Sequence, residues 1–240
     1  MLWGLKSVEQ FSANWRSNRA RGDVKAVLGM NEPQQKGQAD MTPEDGAIVW
    51  KTYLEPLRAQ GIRLGSPAPS SAPSGKTWLV DFFAACAESC TVDFIALHWY
   101  GTNAAQFISY VQDMHATFAE RPVWVTEWAC HNFNPASPNP RQCTAEEVTA
   151  FLNETQQWMD ETEWVERYAW FGAMREDAMN DVNPDNALMD KEGKLNSLGR
   201  QYIGAADGVV YGNGGRSPRW DVHAVSLLIL LFVSVMAYFV

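Results

Sequence analysis

Val123-Trp124-Val125-Thr126-Glu127-Trp128 is the stretch on which the fold turns. Val123 to Val125 are apolar and β-favouring at every position, the mark of a strand buried on both faces in a parallel sheet. The run then stops on a carboxylate between a hydroxyl and an indole. A charge at the end of a buried strand escapes its desolvation cost only by facing a cleft or a partner. A second strand ends the same way: Val24-Lys25-Ala26-Val27-Leu28-Gly29-Met30 runs into Asn31-Glu32-Pro33. Two carboxylates at two strand ends suggest a facing pair.

Outward from these two strands, elements alternate. Strands are expected over 24–30, 62–66, 92–100, 122–128 and 165–171, and Met1-Leu2-Trp3-Gly4 reads as the tail of another. Helices are expected over 7–20, 42–60, 77–87, 103–119, 144–160 and 195–203. Thr42-Pro43-Glu44-Asp45 is a helix start, with a capping hydroxyl, a first-turn proline and acids at the positive end of the dipole. Pro56 should kink or break that helix, and Gly61 suits its C-terminal cap. Thr144 with Glu147 forms a capping box. Alternation of this kind implies parallel strands with right-handed crossovers, an α/β fold. No glycine-rich phosphate loop follows any strand, which weakens the case for an open doubly wound sheet and favours a (β/α)8 barrel. Catalytic groups of such barrels sit at the C-terminal strand ends, where Glu32 and Glu127 lie.

Composition narrows the function. The 240 residues can bury a sizeable core. A formal charge of -9 argues against nucleic acid, whose phosphates attract Lys and Arg. Eleven tryptophans exceed what a core needs and suit a sugar cleft, where a flat sugar face stacks on an indole. Trp50 and Trp158 fall on helical faces and read as core. The four histidines lack metal-ligand spacing, so neither metal nor cofactor is expected. The four cysteines allow three pairings, of which the local pairs Cys86–Cys90 and Cys130–Cys143 close their loops at least entropic cost. Asn153-Glu154-Thr155 is a glycosylation triplet.

The C-terminus stands apart. Residues 206–223 form a small, polar linker containing Gly212-Asn213-Gly214-Gly215, and 224–240 are apolar throughout except Ser226 and Ser234. Small residues, a spacer and a terminal apolar tail make the pattern of a GPI-anchor signal. A membrane helix is the other reading, the tail being at the short edge of the about 17–25 residues a span needs. Either puts the protein at a membrane, and the anchor reading puts it on the outer face of the cell.

Two carboxylates across a cleft are what glycoside hydrolysis requires, and an amide such as Asn31 beside the first can bind the sugar 2-hydroxyl. Leu-Gly-Met-Asn-Glu-Pro (28–33), Ile-Ala-Leu-His-Trp-Tyr-Gly (95–101) and Val-Thr-Glu-Trp-Ala (125–129) resemble glycoside hydrolase family 128, the alkali-sensitive-linkage type of fungal cell-wall proteins, over residues 1–205. The resemblance implies a retaining β-1,3-glucanase acting on β-glucan; endo attack and a monomeric chain are expected beside it, with exo attack left open. By motif position Glu32 is the acid/base, starting protonated, and Glu127 the nucleophile. Tyr100 would hydrogen-bond Glu127, His98 and Trp99 would line the cleft, and Trp170, with Trp3 and Trp128, would stack on sugar. Family members carry two more strands and helices ahead of a segment like 1–4, so the resemblance implies a barrel N-terminally incomplete by about two of its eight strands. The alternative is a non-catalytic β-glucan-binding wall protein, for which both glutamates would be superfluous.

Overall fold

The computed structural model describes residues 1–20, 24–134 and 141–205, so the linker and tail expected over 206–240 lie outside the described residues. The fold is mixed α/β with parallel strands. It divides into two compact units: Met1–Trp128 with Thr162–Ala169, and Ala129–Glu161 with the chain from Trp170 onward.

The first unit holds the strands. β1 (Ala26–Leu28) pairs in parallel with β2 (Arg63–Gly65). Backbone bonds continue beyond both named ends: Arg63 N donates to Lys25 O and Gly29 N to Gly65 O, each at 3.0 Å. A parallel bridge from Gly65 to Phe94 leads to a second sheet in the order β3 (Ile95–Gly101), β4 (Val123–Cys130), β5 (Val165–Trp170). Each neighbouring pair is separated in the chain by a helix, as parallel pairing requires. Residues 2–4 run beside β1, as the strand-tail reading expects: Leu2 N donates to Leu28 O at 3.0 Å, and Asn31 N to Trp3 O at 2.9 Å.

Helix α1 (Val8–Ala20) precedes β1, and α2 (Pro43–Val49) follows it, capped by the Thr42 hydroxyl accepting from Asp45 N at 3.1 Å. The helix expected to reach residue 60 changes pitch instead. It widens to a π-turn over Trp50–Leu54 and tightens to a 3-10 turn over Glu55–Gln60. The cause is Pro56, which has no N–H and whose ring crowds the carbonyl four residues back. Gly61 ends the run at φ 75°, the left-handed cap the sequence predicts.

Helix α3 spans Pro73–Cys86. It starts at Pro73 rather than 77, because proline is preorganised for the first helical turn. α3 packs on α2 through Trp78, whose Nε1 donates to Met41 O at 2.8 Å, and Phe82 lies stacked on Trp78 and edge-on to the fully buried Trp50. α4 (Ala104–Thr117) is capped by Asn103, which accepts from Gln106 N at 2.9 Å.

The second unit contains α5 (Ala145–Asp160), with the Thr144–Glu147 capping box in place, and α6 (Ser197–Tyr202). Between them, the fully buried Asn186 accepts from Cys130 N at 3.0 Å and donates to Cys130 O at 3.1 Å. Both local disulfides are formed, Cys86–Cys90 and Cys130–Cys143. No helix among the described residues is long and apolar enough to cross a membrane.

β2 approaches the start of β3 closely only because Gly65 has no side chain. A Cβ there would meet the Phe94 ring at 2.3 Å and Leu28 Cδ2 at 2.8 Å. Gly65→Ala should therefore destabilise the chain by about 1–3 kcal/mol through overpacking, read as a lower urea midpoint. An unchanged midpoint would show that this approach is not a constraint.

Candidate active site

The site grows from three strand ends of the first unit. β1 leads to Asn31 and Glu32. Asn31 is buried, its backbone bridges Ala68, and its Nδ2 donates to Gln38 Oε1 at 3.0 Å. Glu32 stands in the left-handed region at φ 38°, where a residue with a Cβ is strained. Two backbone bonds hold it there: its N–H donates to Ala68 O at 2.8 Å, and its carbonyl accepts from Gln35 N at 2.9 Å.

β3 supplies the next two groups. Side chains alternate along a strand, so His98 and Tyr100 share one face and Trp99 takes the other. His98 is fully enclosed, and its Nδ1 lies 3.2 Å from Glu32 Oε1 and 3.4 Å from Glu127 Oε2. Glu127 comes from β4. One ring nitrogen thus faces both carboxylates, and the two oxygens cannot be farther apart than those distances laid end to end. The Tyr100 hydroxyl donates to Glu127 Oε2 at 2.7 Å.

The electrostatics follow from this cluster. Burial works to lower the His98 pKa, but the charge of Glu127, with the hydrogen bond and charge of Glu32, outweighs it and raises the pKa above 6.5. The Tyr100 pKa is raised well above 10 by burial first, then by the charge and hydrogen bond of Glu127 and the charge of Glu32. Tyr100 therefore remains a proton donor to Glu127 at any working pH.

Other expected residues fall elsewhere. Trp99 turns to α4, where its ring lies 5.9 Å from Phe107 and 5.5 Å from Tyr110. Gly101 makes room for it, since a Cβ there would meet the Trp99 ring at 2.8 Å. Trp99 does not stand with the carboxylates. Trp128 corrects the sequence reading as well: its side chain is fully buried, edge-on to Tyr168, and presents no face on which a sugar could stack. Trp3 sits half-buried beside Asn31. Trp170 belongs to the second unit, 3% exposed, with its Nε1 donating to Asn186 O at 2.8 Å.

Sequence reasoning missed the loop partners: Gln38 on Asn31, and Gln34 and Gln35, whose amides both donate to Ser70 Oγ at 2.7 and 3.0 Å. Nothing in the composition of the segment after β2 singles out Ser70. No group of three or more metal-ligating side chains among the described residues is placed to hold a metal ion.

A raised His98 pKa carries a signed consequence. The protonated ring is favoured in the folded state, so its stabilisation is complete below about pH 6.5 and is lost as pH rises through the folded pKa. In an NMR titration, the His98 ring should titrate above 6.5, and in Glu127→Gln its midpoint should fall. A midpoint unmoved by Glu127→Gln would break the electrostatic link.

Comparison with known proteins gives three findings. Residues 1–202 match the family model described as glycosyl hydrolase catalytic core, a match that runs through both units. Alkali-sensitive linkage protein 1 of Schizosaccharomyces pombe is 35% identical over 182 residues, covering 74% of this chain and 32% of that protein, so the chain spans about a third of its length. Among solved structures, a family 128 (subgroup VI) exo-β-1,3-glucanase from Aureobasidium namibiae is 30% identical with TM-score 0.71, covering 86% of this chain and 76% of its own. A family 128 (subgroup I) endo-β-1,3-glucanase from Amycolatopsis mediterranei, in complex with laminaritriose, is 33% identical with TM-score 0.67, covering 86% and 81%.

Proposed function

The chain belongs to the glycosyl hydrolase catalytic core family, in its family 128 branch, and from that membership we propose that it hydrolyses β-1,3-glucan with retention of anomeric configuration. The observation that carries the proposal is the sharing of His98 Nδ1 by Glu32 and Glu127. Retaining chemistry wants its carboxyls about 5–5.5 Å apart, and inverting chemistry about 6.5–9.5 Å, to admit a water. Contact of both carboxylates with a single ring nitrogen, at 3.2 and 3.4 Å, supports a close pair and with it the retaining reading.

In this reading Glu127 attacks the anomeric carbon while Glu32 protonates the leaving oxygen, and Glu32 then deprotonates the water that releases the glycosyl-enzyme. Tyr100 holds Glu127 in line by its 2.7 Å hydrogen bond. Asn31 receives the sugar 2-hydroxyl, oriented by Gln38. The frame is a (β/α)8-type barrel, supported by the parallel strand order and the family 128 neighbours. Endo attack belongs to the proposal, since the neighbours named include both exo- and endo-glucanases. So does location at the cell wall or outer membrane face by way of the 224–240 tail, a reading the two disulfides favour because such bonds persist in oxidising compartments.

Incubation with laminarin should release reducing sugar, and both Glu32→Gln and Glu127→Gln should abolish release. Tyr100→Phe, losing a hydrogen bond to a charged group, should lower kcat by about 10- to 100-fold. Azide should restore turnover to Glu127→Ala, and NMR of the first product should show the β-anomer. An α-anomer would overturn retention, and an active Glu127→Gln would overturn the nucleophile assignment.

A further inference from the structure

A groove of about 560 Å³ opens between α3 and α4, outside the carboxylate cluster. That volume is within the roughly 300–1,000 Å³ typical of small-molecule sites. Its walls include Ser71, Pro73, Thr77, Val80 and Tyr110, and the Lys76–Asp113 ion pair closes at 2.7 Å on its rim. Hydroxyls and a charge pair surround an apolar wall in which Val80 is 44% exposed. This is the chemistry of a carbohydrate site, where C–H faces meet apolar surface and hydroxyls meet polar rims.

A second observation concerns the wall toward the catalytic cluster. Three buried polar atoms have no hydrogen-bond partner among the described residues: Tyr110 OH, on a residue that lines the groove, and Trp99 Nε1 and Gln34 Oε1, on residues that do not line it. They come from three elements, α4, β3 and the loop after β1. Tyr110 and Trp99 are ring neighbours, while Gln34 is tied to Ser70 next to the groove's Ser71. Buried polar atoms left unpaired are costly, so a cluster of them points to a polar occupant. Their side is also defined. Burial, the charge of Glu32 and that of Asp113 raise the Tyr110 pKa, whereas His98 and Tyr100 feel both catalytic carboxylates. Gln34, two residues after Glu32 in the chain, bonds to Ser70 beside the groove's Ser71, which sets the groove on the Glu32 flank of the site.

We propose that the α3–α4 groove is a distal saccharide subsite that holds the leaving-group end of a long β-glucan chain beyond Glu32. The inference rests on the glucanase reading. The chain would cross the Gln34–Ser70 loop and lay a sugar face against Tyr110 and Val80, with its hydroxyls reaching Tyr110 OH and the Lys76–Asp113 rim. Hydroxyls both donate and accept, so they suit an indole N–H, a phenol and an amide oxygen alike.

Calorimetry on the full chain carrying Glu127→Gln, titrated with laminaritriose and with laminarihexaose, tests this. Tyr110→Phe removes only the hydroxyl, and Val80→Arg fills the groove from an exposed helix position, so each can be checked for an unchanged circular dichroism spectrum. Each should weaken hexaose binding by about tenfold and leave triose binding unchanged. Hexaose bound by both variants as tightly as by the parent would overturn the subsite while leaving the glucanase reading intact. An equal loss for triose and hexaose would also overturn it, placing the effect in the catalytic cleft. A parent that binds neither sugar, together with an unsubstituted chain that cleaves no laminarin, would bring down the glucanase reading and the subsite with it.

Discussion

The His98 imidazole between Glu32 and Glu127 is the contact on which the site depends. Two carboxylates brought this close repel, and partial burial strengthens the repulsion. An imidazole nitrogen at 3.2 and 3.4 Å lets both approach, because it can carry the compensating proton. Burial alone would strip that proton from His98, and it is the two carboxylates that keep it there. Tyr100 completes the arrangement by fixing one oxygen of Glu127 with a neutral donor that burial prevents from ionising.

The sheet makes this cluster possible. Parallel pairing of β1 with β2, and of β3 with β4, brings residues distant in sequence to one end. On β3 the alternation of side chains divides the His-Trp-Tyr run between two jobs. His98 and Tyr100 meet the carboxylates, and Trp99 joins Phe107 and Tyr110 of α4. Close backbone approach at Gly65 and the space left by Gly101 for the Trp99 ring are the small-residue conditions of that division.

Much of this was legible in the sequence. Buried strands ending on carboxylates, caps at Thr42 and Thr144, and the Pro56 break all follow from local chemistry, and the structure carries each of them. The local cysteine pairs follow from loop entropy. What sequence could not separate was the fate of adjacent aromatics. Trp99 and Trp128 each sit beside a residue of the carboxylate–histidine cluster in the chain, but burial depends on neighbours across the sheet, such as Tyr168 for Trp128. The amide partners escaped for the same reason: Gln38 reaches Asn31 and Gln34 reaches Ser70 only after the loops fold.

The backbone of Glu32 makes the clearest case that chemistry overrode propensity. A φ of 38° is territory for glycine or asparagine, and glutamate gains nothing there by packing. Such strain persists only where the surroundings over-determine it. Here the bond to Ala68 O pins the residue from the strand side, the bond from Gln35 N pins it from the loop side, and Pro33 stiffens the exit. Glycine at this position would relax the backbone and lose the carboxylate facing His98. The chain accepts the strain and keeps the carboxylate facing His98.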